Sequence, residues 1–317
     1  MKLRVAVIYG GRSGEHEVSI RSAEAIIAGM DPSKYEIVRY FISKEGKWDP
    51  RPILPEPGSN DGIDVVFPVL HGTFGEDGTM QGLLELAGLP YVGPGVLGSS
   101  ASMDKDMMKR IFRDRGLPIV EYVLARATPT FDFPMFVKPA NLGSSVGISK
   151  VNNEGELAAA VKLAEQYDTK VIVERAIIGR EFECSVLGNE SPEASIPCEI
   201  IPSREFYDYE DKYILNKALT KIPADLTPTR TAEMRRLAVD AFRAIECEGM
   251  SRVDFLMEAA TGSIYINEIN TIPGFTSISM YPKMWEYSGI PFSSLIDRLI
   301  ALALDRHRIR QSKKYSR

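Results

Sequence analysis

The chain has 317 residues, a length that supports roughly two or three domains with well-developed cores. It is 44% hydrophobic and 26% charged, and its formal net charge of −5 gives no basic footprint for nucleic acid. The three cysteines are not closely spaced and suggest neither a disulfide framework nor a zinc site, and the presence of only three histidines excludes a histidine-rich metal site. No apolar run is long enough for a signal peptide or a membrane span. We therefore expect a cytoplasmic protein that binds neither membranes nor nucleic acid.

Alternating strands and helices in the first third of the chain predict a parallel, doubly wound α/β domain. Buried-type strands are expected over residues 3–9, 35–42 and 64–70, and helices over residues 18–30 and 81–87. The carboxyl ends of such strands meet at one edge of the sheet, where open α/β sheets bind ligands.

Two polar segments follow strands at this edge. The turn Gly10-Gly11-Arg12-Ser13-Gly14 lacks the G-x-G-x-x-G spacing, so it does not support a dinucleotide site. Glu15 follows this turn, and His71 opens a glycine-rich polar loop after the third strand. Both are therefore candidate ligand residues. The alternatives are a helix-start glutamate favoured by the helix dipole and a loop histidine that is hydrogen-bonded only locally.

A second compact region is predicted from a helix over residues 102–114, strands over 133–138 and 145–151, a helix over 154–166 and a strand over 170–174. A Gly/Ser loop joins its first two strands. The loop does not continue into Lys-Ser/Thr, so it is not a Walker A motif. Its backbone amides can still cover phosphates, and the lysine at the preceding strand end can meet them as a point charge. A glycine hairpin beside a solvated lysine is the alternative.

The last region begins with a strand over residues 181–187 and contains a helix over 231–247. Between them lies a Pro- and Tyr-rich connection over residues 202–228, which is long for a compact protein. Its aromatic content favours a functional lid over a disordered segment. We expect this lid to become ordered when ligands bind.

Two apolar-rich runs around Ala260-Thr261-Gly262 predict a β-hairpin. If the hairpin is centred on Thr261, Asp254 lies opposite Glu268, and Asn270 shares their face. Oxygen donors on ordered strands suit Mg²⁺ bridged to phosphates. The alternative is an exposed hairpin face that carries solvated charges.

Taken together, these motifs resemble the D-alanine–D-alanine ligase family of the ATP-grasp superfamily, from Val5 to about Leu295. The residues that carry the resemblance are Gly10-Gly11-x-Ser13-x-Glu15-His16-Glu17-Val18-Ser19, the loop from His71 to Thr79, Ser102-Met103-Asp104-Lys105, Lys138-Pro139 with Gly143-Ser144-Ser145-Val146-Gly147, Tyr207-Asp208-Tyr209-Glu210, Arg252-x-Asp254, and Asn267-Glu268-Ile269-Asn270-Thr271-x-Pro273-Gly274. The resemblance implies a three-domain ATP-grasp architecture: an N-terminal substrate-binding domain (1–96), a central domain (97–178) and a C-terminal catalytic domain (179–317).

The resemblance also implies an ATP site between the central and C-terminal domains. The implied ATP-binding residues are Lys105, Lys138, Ser145, Glu174, Ile177, Glu181 and Lys212. Among these, the three lysines contact phosphates, Glu174 and the backbone of Ile177 hold adenine, and Glu181 holds the ribose. Asp254, Glu268 and Asn270 are implied to hold two Mg²⁺ ions, for which Mn²⁺ can substitute.

For the substrates, the resemblance implies two adjacent subsites for D-alanine. The residues implied for these subsites and for catalysis are Glu15, His71, Ser144, Lys212, Tyr213, Arg252, Gly274 and Ser279. Glu15 receives the first ammonium, supported by Ser144 and Tyr213. Arg252 and the backbone amide of Gly274 stabilise the oxyanion. Ser279 and Lys212 bind the second carboxylate, with His71 nearby.

The implied reaction is ATP-dependent ligation of two D-alanine molecules through a D-alanyl phosphate, for peptidoglycan precursor synthesis, by a cytoplasmic homodimer. Three alternatives remain open on the sequence: a ligase of the same superfamily that uses D-lactate, D-serine or another substrate, a non-catalytic nucleotide sensor, and a nicotinamide dehydrogenase. The missing glycine spacing argues against the dehydrogenase.

Overall fold

The computed structural model describes residues 2–201 and 219–314, which form three β-sheets flanked by helices. The N-terminal elements are β1 (Leu3–Gly10), α1 (His16–Gly29), β2 (Tyr35–Ile42), β3 (Trp48–Asp49), β4 (Val65–Pro68), α2 (Thr79–Leu86) and α3 (Val96–Met103). Their sheet has the order β3-β2-β1-β4, in which β2 and β4 run parallel to β1, and β3 is an antiparallel edge. The predicted parallel N-terminal sheet is therefore confirmed.

The next elements are α4 (Lys105–Asp114), β5 (Tyr122–Leu124), β6 (Met135–Pro139), β7 (Ser149–Val151), α5 (Glu154–Ala164) and β8 (Val171–Arg175). Their antiparallel sheet has the order β5-β8-β6-β7. The prediction of one helix over residues 102–114 was wrong, because α3 ends and α4 begins at Asp104. The Asp104 carboxylate accepts hydrogen bonds from the amides of Asp106 and Met107, both at 3.1 Å, and so caps α4.

The remaining elements are β9 (Gly179–Gly188), β10 (Glu193–Ala194), β11 (Cys198–Ile201), β12 (Leu219–Lys221), α6 (Pro228–Ala244), β13 (Gly249–Glu258), β14 (Ile264–Asn270), α7 (Met280–Tyr287) and α8 (Phe292–Gln311). Five of the strands form the order β12-β11-β9-β13-β14, and β10 pairs with β9.

The predicted 202–228 connection was too long at its carboxyl end. Residues 219–221 form β12, which pairs with β11, and α6 begins at Pro228. Proline is favoured at the first helical position, and the Thr227 hydroxyl caps the helix by accepting from the amide of Arg230 at 3.3 Å. Residues 202–218, and with them most of the predicted lid, lie outside the described residues.

Helices cover both faces of the N-terminal sheet. Val5 and Phe67 on one face pack with Ile26 of α1 and Leu295 of α8, whereas the other face packs against α2. The loop between β14 and α7 joins the first of these cores through Phe275, whose ring centroid lies 6.1 Å from that of Phe67. This packing brings the end of β14 to the carboxyl edge of β1 and β4. Within the described ranges, no helix is long and apolar enough to cross a membrane.

The hairpin of β13 and β14 pairs Asp254 with Glu268, as predicted, and Arg252 with Asn270. Near the turn, however, Met257 pairs with Ile264. A hairpin centred on Thr261 would instead pair Met257 with the residue that follows Ile264. The register shifts between Asp254 and Phe255, so that Asn267 is an extra residue on β14. The pairing therefore depends on a bulge that the sequence argument did not include.

Candidate active site

Two adjoining cavities lie where the three sheets meet. The larger cavity has a volume of about 550 Å³ and is lined by the central and C-terminal sheets. The smaller cavity, of about 340 Å³, lies between the edge of the N-terminal sheet and the end of β14. Gly143, Ser144, Glu183 and Glu268 line both cavities. Groups bound in the two cavities would thus meet at these shared residues.

Every predicted site residue that the structure describes lines one of these cavities. The larger cavity contains Lys105, Lys138, Ser144, Ser145, Glu174, Ile177, Glu181, Asp254 and Glu268. The smaller cavity contains Glu15, His71, Ser144, Arg252, Glu268, Asn270, Gly274 and Ser279. Lys212 and Tyr213 lie outside the described residues, so the structure does not test their predicted roles.

A row of alternating charges forms one wall of the larger cavity. Glu174 is almost fully buried and contacts the ammonium of Lys138 through Oε2 and that of Lys109 through Oε1. Burial alone would raise the pKa of Glu174, but the two ammoniums outweigh it and hold the pKa below its ordinary value. The pKa of Lys138 is raised, because Glu174 outweighs the effect of burial. Both groups are therefore charged at neutral pH.

Lys105 extends this cationic wall toward the hairpin. Its ammonium donates to the carbonyl of Leu142 at 2.6 Å and lies 3.7 Å from Glu268 Oε2. Lys138 Nζ lies 3.5 Å from Oδ1 of Asn267, the bulge residue of β14. Lysines thus face the carboxylate side of the hairpin across the cavity.

The predicted metal-binding face is arranged around Asp254. Arg252 donates to both Asp254 oxygens, at 2.7 and 2.6 Å, and the Asn270 amide donates to Oδ2 at 2.9 Å. Arg252 Nε also lies 3.3 Å from Glu183 Oε2. Burial acts to lower the pKa of Arg252, but Asp254 and Glu183 hold it above its ordinary value. The face therefore carries a fixed cation beside its carboxylates.

The donor set suits Mg²⁺. Asp254 and Glu268 supply carboxylate oxygens from paired strands, and Asn270 retains its amide oxygen while its NH₂ group binds Asp254. Among the described residues, no group of three or more His, Cys, Asp and Glu side chains is placed to hold a metal. The predicted set is consistent with this finding, because its third member is an amide.

The Gly143–Gly147 loop links the two cavities. Ser144 and Ser145 have φ values of 53° and 59°, a left-handed conformation that is costly for residues other than glycine. In this conformation the Ser144 hydroxyl donates to Glu15 Oε1 across the junction with the N-terminal sheet. Strained backbone of this kind often occurs at functional sites, which favours a ligand-binding role for the loop.

The N-terminal sheet edge brings Glu15 and the loop after β4 together, as predicted. Gly72 has a φ of 73°, a backbone conformation that favours glycine. A Cβ atom there would lie 2.7 Å from Glu15 Oε2 and would displace that carboxylate. The Ser13 hydroxyl ties the two segments together by donating to the carbonyl of His71 at 2.6 Å.

His71 is buried, and both ring nitrogens are engaged. Nδ1 lies 3.0 Å from the carbonyl of Ile272 and must donate to it, because a carbonyl can only accept. Nε2 lies 3.1 Å from the hydroxyl of Ser22, which accepts from the amide of Phe275 at 3.2 Å. Burial lowers the pKa of His71, which fits a neutral ring that accepts from Ser22. His71 therefore holds the loop after β14, and its ring nitrogens are committed to that loop and to α1.

Glu76 makes a second link between the same two loops. Its carboxyl group accepts from the amide of Gly72 at 2.6 Å and from that of Ile272 at 3.0 Å. Burial and the nearby Glu15 raise the pKa of Glu76 to about 8, although these amides act in the opposite direction. Glu76 therefore keeps its proton to a higher pH than an ordinary glutamate does.

The far side of the smaller cavity is formed by the amino end of α7. Ser279 is the N-cap residue, and its hydroxyl accepts from the amide of Thr276 at 3.0 Å. A Cβ atom on Gly274 would lie 2.8 Å from the Ser279 hydroxyl, so a larger residue at 274 would displace it. The amino end of a helix favours an anionic group.

Three residues at or beside the site were not predicted from the sequence. Lys109 follows Lys105 by four residues on α4, so helical spacing could have placed them on one face. Glu183 follows Glu181 by two residues on β9. Glu76 belongs to the polar loop after β4, but no local pattern shows that it reaches residue 272.

Two family models match the chain. One, described as D-ala D-ala ligase N-terminus, covers residues 4–62 and 54–94, and the other, D-ala D-ala ligase C-terminus, covers residues 108–301. Among curated proteins, the chain is 69% identical over 325 residues to the D-alanine–D-alanine ligase of Solibacter usitatus, with 100% of each chain covered. It is 50% identical to that of Thermoanaerobacter sp. (strain X514), with 96% of this chain and 98% of the relative covered.

Solved structures of related ligases also match the chain. The D-alanine–D-alanine ligase from Coxiella burnetii matches with a TM-score of 0.87 and 40% identity, covering 98% of this chain and 96% of the other. The VanG D-Ala:D-Ser ligase from Enterococcus faecalis matches with a TM-score of 0.88 and 36% identity, covering 96% and 100%.

Proposed function

The chain belongs to the D-alanine–D-alanine ligase family, and from that premise we propose how its two cavities divide the work of the reaction. The enzyme uses ATP to join two D-alanine molecules into D-alanyl-D-alanine, a building block for peptidoglycan. ATP occupies the larger cavity and the two D-alanine molecules occupy the smaller one. The phosphoryl group passes between them at the residues that line both cavities.

The larger cavity suits ATP because groups suited to phosphates lie in one part of it and groups suited to adenine and ribose lie in another. Lys105 and Lys138 supply positive charge for the phosphates, and the strained loop that contains Ser145 can turn backbone amides toward them. Ile177 and Glu181 line the cavity at the junction of β8 and β9, where adenine and ribose are placed in this proposal.

Two Mg²⁺ ions are assigned to Asp254, Glu268 and Asn270. Bound Mg²⁺ would neutralise the charge that spreads over the transferring phosphoryl group. The lysine wall opposite the hairpin contributes to the same neutralisation from the protein side.

The first D-alanine is assigned to Glu15 and Arg252. Glu15 receives its ammonium group, held in place by the Ser144 hydroxyl, and the substrate carboxylate points toward the larger cavity. One carboxylate oxygen attacks the γ-phosphorus, the bond from that phosphorus to the β-phosphate oxygen breaks, and ADP leaves. The product is D-alanyl phosphate, in which phosphate is a competent leaving group.

The second D-alanine is assigned to the α7 side of the smaller cavity, with its carboxylate at Ser279. Its amine attacks as the free base, and the carbonyl carbon becomes tetrahedral. Arg252 and the backbone amide of Gly274 stabilise the oxygen that gains charge. The bond to phosphate then breaks, inorganic phosphate leaves with that electron pair, and the attacking nitrogen loses one proton to the departing phosphate.

The observation that carries this proposal is that Ser144 and Glu268 line both cavities. An assay of ADP formation with D-alanine, L-alanine, D-serine and D-lactate tests it, with products identified by mass spectrometry. We expect ADP and D-alanyl-D-alanine in equal amounts from D-alanine. ADP formation that is independent of D-alanine would contradict the assignment. If the enzyme formed mixed dipeptides with D-serine, its second subsite would accept D-serine, the substrate named for the VanG relative, in place of the second D-alanine.

We further propose that the protein is a cytoplasmic homodimer. The described cysteines, Cys184, Cys198 and Cys247, are buried and free, which suits a reducing compartment. Light scattering coupled to gel filtration tests the homodimer: a mass of twice 35.2 kDa is expected, and a single-chain mass at assay concentration would contradict it.

A further inference from the structure

Lys109 is a buried lysine that has no assigned role in the proposed reaction. It lies one helical turn after Lys105 on α4, and its side chain is 1% exposed. Lys105, Lys138 and Glu174 line the larger cavity, whereas Lys109 is enclosed behind Glu174. A lysine is almost never so completely buried without an ionic partner.

Lys109 and Lys138 share one carboxylate. Lys109 contacts Oε1 of Glu174, and Lys138 contacts Oε2. The Glu174 side chain is 2% exposed, so water screens these contacts little. Burial lowers the pKa of Lys109, and the Glu174 carboxylate opposes this effect. When Lys109 carries its proton, two ammoniums flank one carboxylate. Each ammonium repels the other and weakens its neighbour's attraction to Glu174.

Removing Lys109 would change this balance. Glu174 would keep a single cation, Lys138, and the pair would become an isolated one-to-one ion pair. A lysine held in such a pair is less available to an incoming phosphate, because the phosphate must compete with a desolvated carboxylate.

We propose that Lys109 is a positioning residue: by offsetting the charge of Glu174 at one carboxylate oxygen, it leaves the Lys138 ammonium available to the nucleotide phosphates. This inference rests on the proposed placement of ATP in the larger cavity. It gives Lys109 a part in nucleotide binding although Glu174 separates it from the cavity.

The competing explanation is that Lys109 only fastens α4 to β8. Its ammonium also lies 5.7 Å from the ring centroid of Tyr122 on β5, which could serve the same purpose. The two explanations differ in one measurable respect. A purely structural residue would affect all ligands of the cavity alike, whereas a positioning residue for Lys138 would affect only ligands that carry phosphates.

The test measures the dissociation constants of ATP and adenosine by calorimetry for the full-length wild type and four variants. The variants are Lys109→Met, Lys109→Arg, Glu174→Gln and the double variant Lys109→Met/Glu174→Gln. The quantity compared is the ratio of the adenosine constant to the ATP constant. Lys162→Met, which changes an exposed lysine on α5, is the matched control.

For Lys109→Met, we expect the ratio to fall about tenfold, the size of one lost charge-assisted contact. Lys109→Arg keeps the charge and should keep the ratio. The double variant frees Lys138 from Glu174 and should restore the ratio, although it lacks two buried charges. Lys162→Met should match the wild type.

An unchanged ratio in Lys109→Met, or no recovery in the double variant, would overturn the proposal. If Lys109→Met does not fold by circular dichroism, Lys109→Gln replaces it, because it keeps a donor to Glu174 but loses the charge. The same ratio should then fall, and an unchanged ratio would again overturn the proposal. The wild-type assay of ADP formation with D-alanine separates this failure from failure of the proposed function.

Discussion

The two cavities meet at shared residues but stabilise their polar groups in opposite ways. The larger cavity is built from full charges in alternation, with Glu174 between Lys109 and Lys138 and with Lys105 facing Glu268. The smaller cavity carries the Arg252 ion pairs only on its β13 side. On its N-terminal side, hydrogen bonds hold the loop after β14, and they come from His71, whose pKa is lowered, and Glu76, whose pKa is raised.

This difference follows from what each cavity must bind. The phosphates of ATP bring several negative charges, so the larger cavity needs fixed cations whose own charge is balanced before ATP arrives. Two amino-acid zwitterions bring little net charge. Their cavity needs precise placement, which neutral hydrogen bonds provide without the desolvation cost of buried ions. Charge substitutions should therefore impair ligand binding mainly in the larger cavity, whereas a change of pH should mainly affect the hydrogen bonds around the smaller cavity.

The largest effect is expected for Glu268→Gln, at the junction of the cavities. Loss of this carboxylate should lower kcat roughly 10³-fold or more, because the developing charge on the phosphoryl group loses its metal-mediated stabilisation. The fold should remain, since the Glu268 side chain is partly exposed and Lys105, which lies 3.7 Å from it, also binds the carbonyl of Leu142. Steady-state kinetics with a Mg²⁺ titration and a thermal melt measure both effects.

Glu190→Gln, at an exposed position between β9 and β10, is the matched control and should behave as the wild type. An unchanged Mg²⁺ dependence in Glu268→Gln would remove Glu268 from the metal site.

A pH-dependent effect on stability is expected for Glu76. Its folded pKa of about 8 lies above the ordinary value of 4.5, so the folded state binds the extra proton between these pH values. This contribution to stability is complete below pH 4.5 and is lost as pH rises through 8, at roughly 1.4 kcal/mol per pH unit. Relative to Glu76→Gln, the wild type should thus lose a few kcal/mol of unfolding free energy between pH 5 and 8.

Urea denaturation at several pH values measures this difference. Comparison with the variant cancels the opposite contribution of His71, whose pKa is lowered by burial. Parallel curves for the two proteins would show that Glu76 does not titrate in this range.

A smaller effect is expected for Ser144→Ala. The variant removes the hydroxyl that donates to Glu15, a loss of about 1–2 kcal/mol for a bond to a charged acceptor. The KM for the first D-alanine should rise by roughly tenfold, while the KM for ATP should change little. Initial rates over a matrix of both substrates separate the two constants. An equal rise in both would show that the loop serves the larger cavity instead.

The smallest effect is expected for Tyr213→Phe, at a position outside the described residues. The family resemblance places Tyr213 beside Ser144, and losing one phenolic hydrogen bond costs about 1 kcal/mol. We expect the wild type to make almost only D-alanyl-D-alanine from equal D-alanine and D-lactate at neutral pH. The variant should gain measurable D-alanyl-D-lactate, most clearly below pH 7, where the competing amine is protonated. Chromatography of radiolabelled products decides this, and an unchanged product ratio would count against Tyr213.

The sequence predicted the hairpin site better than the sheet-edge site, for a physical reason. Asp254 and Glu268 lie within one hairpin, so strand periodicity brings them close together, although their direct pairing depends on the bulge at Asn267. The contact from Glu76 to Ile272 joins segments 196 residues apart, and no local pattern encodes it.

The errors in secondary structure have a similar cause. The break at Asp104 and the strand at residues 219–221 depend on a side-chain cap and on pairing with β11, which override the apparent periodicity. The sequence did not predict Lys109, because Lys109 lies on α4 whereas its partner, Glu174, lies on β8 and was assigned to adenine by resemblance alone.

The central claim is that a D-alanine carboxylate in the smaller cavity attacks ATP in the larger one. Its most direct test uses D-alanine labelled with ¹⁸O in the carboxylate, ATP of natural isotopic composition and mass spectrometry of the released phosphate. If D-alanyl phosphate forms, the attacking carboxylate oxygen leaves with the phosphate, so the account predicts one ¹⁸O atom in each phosphate per dipeptide formed. Unlabelled phosphate, released in step with D-alanyl-D-alanine, would contradict it.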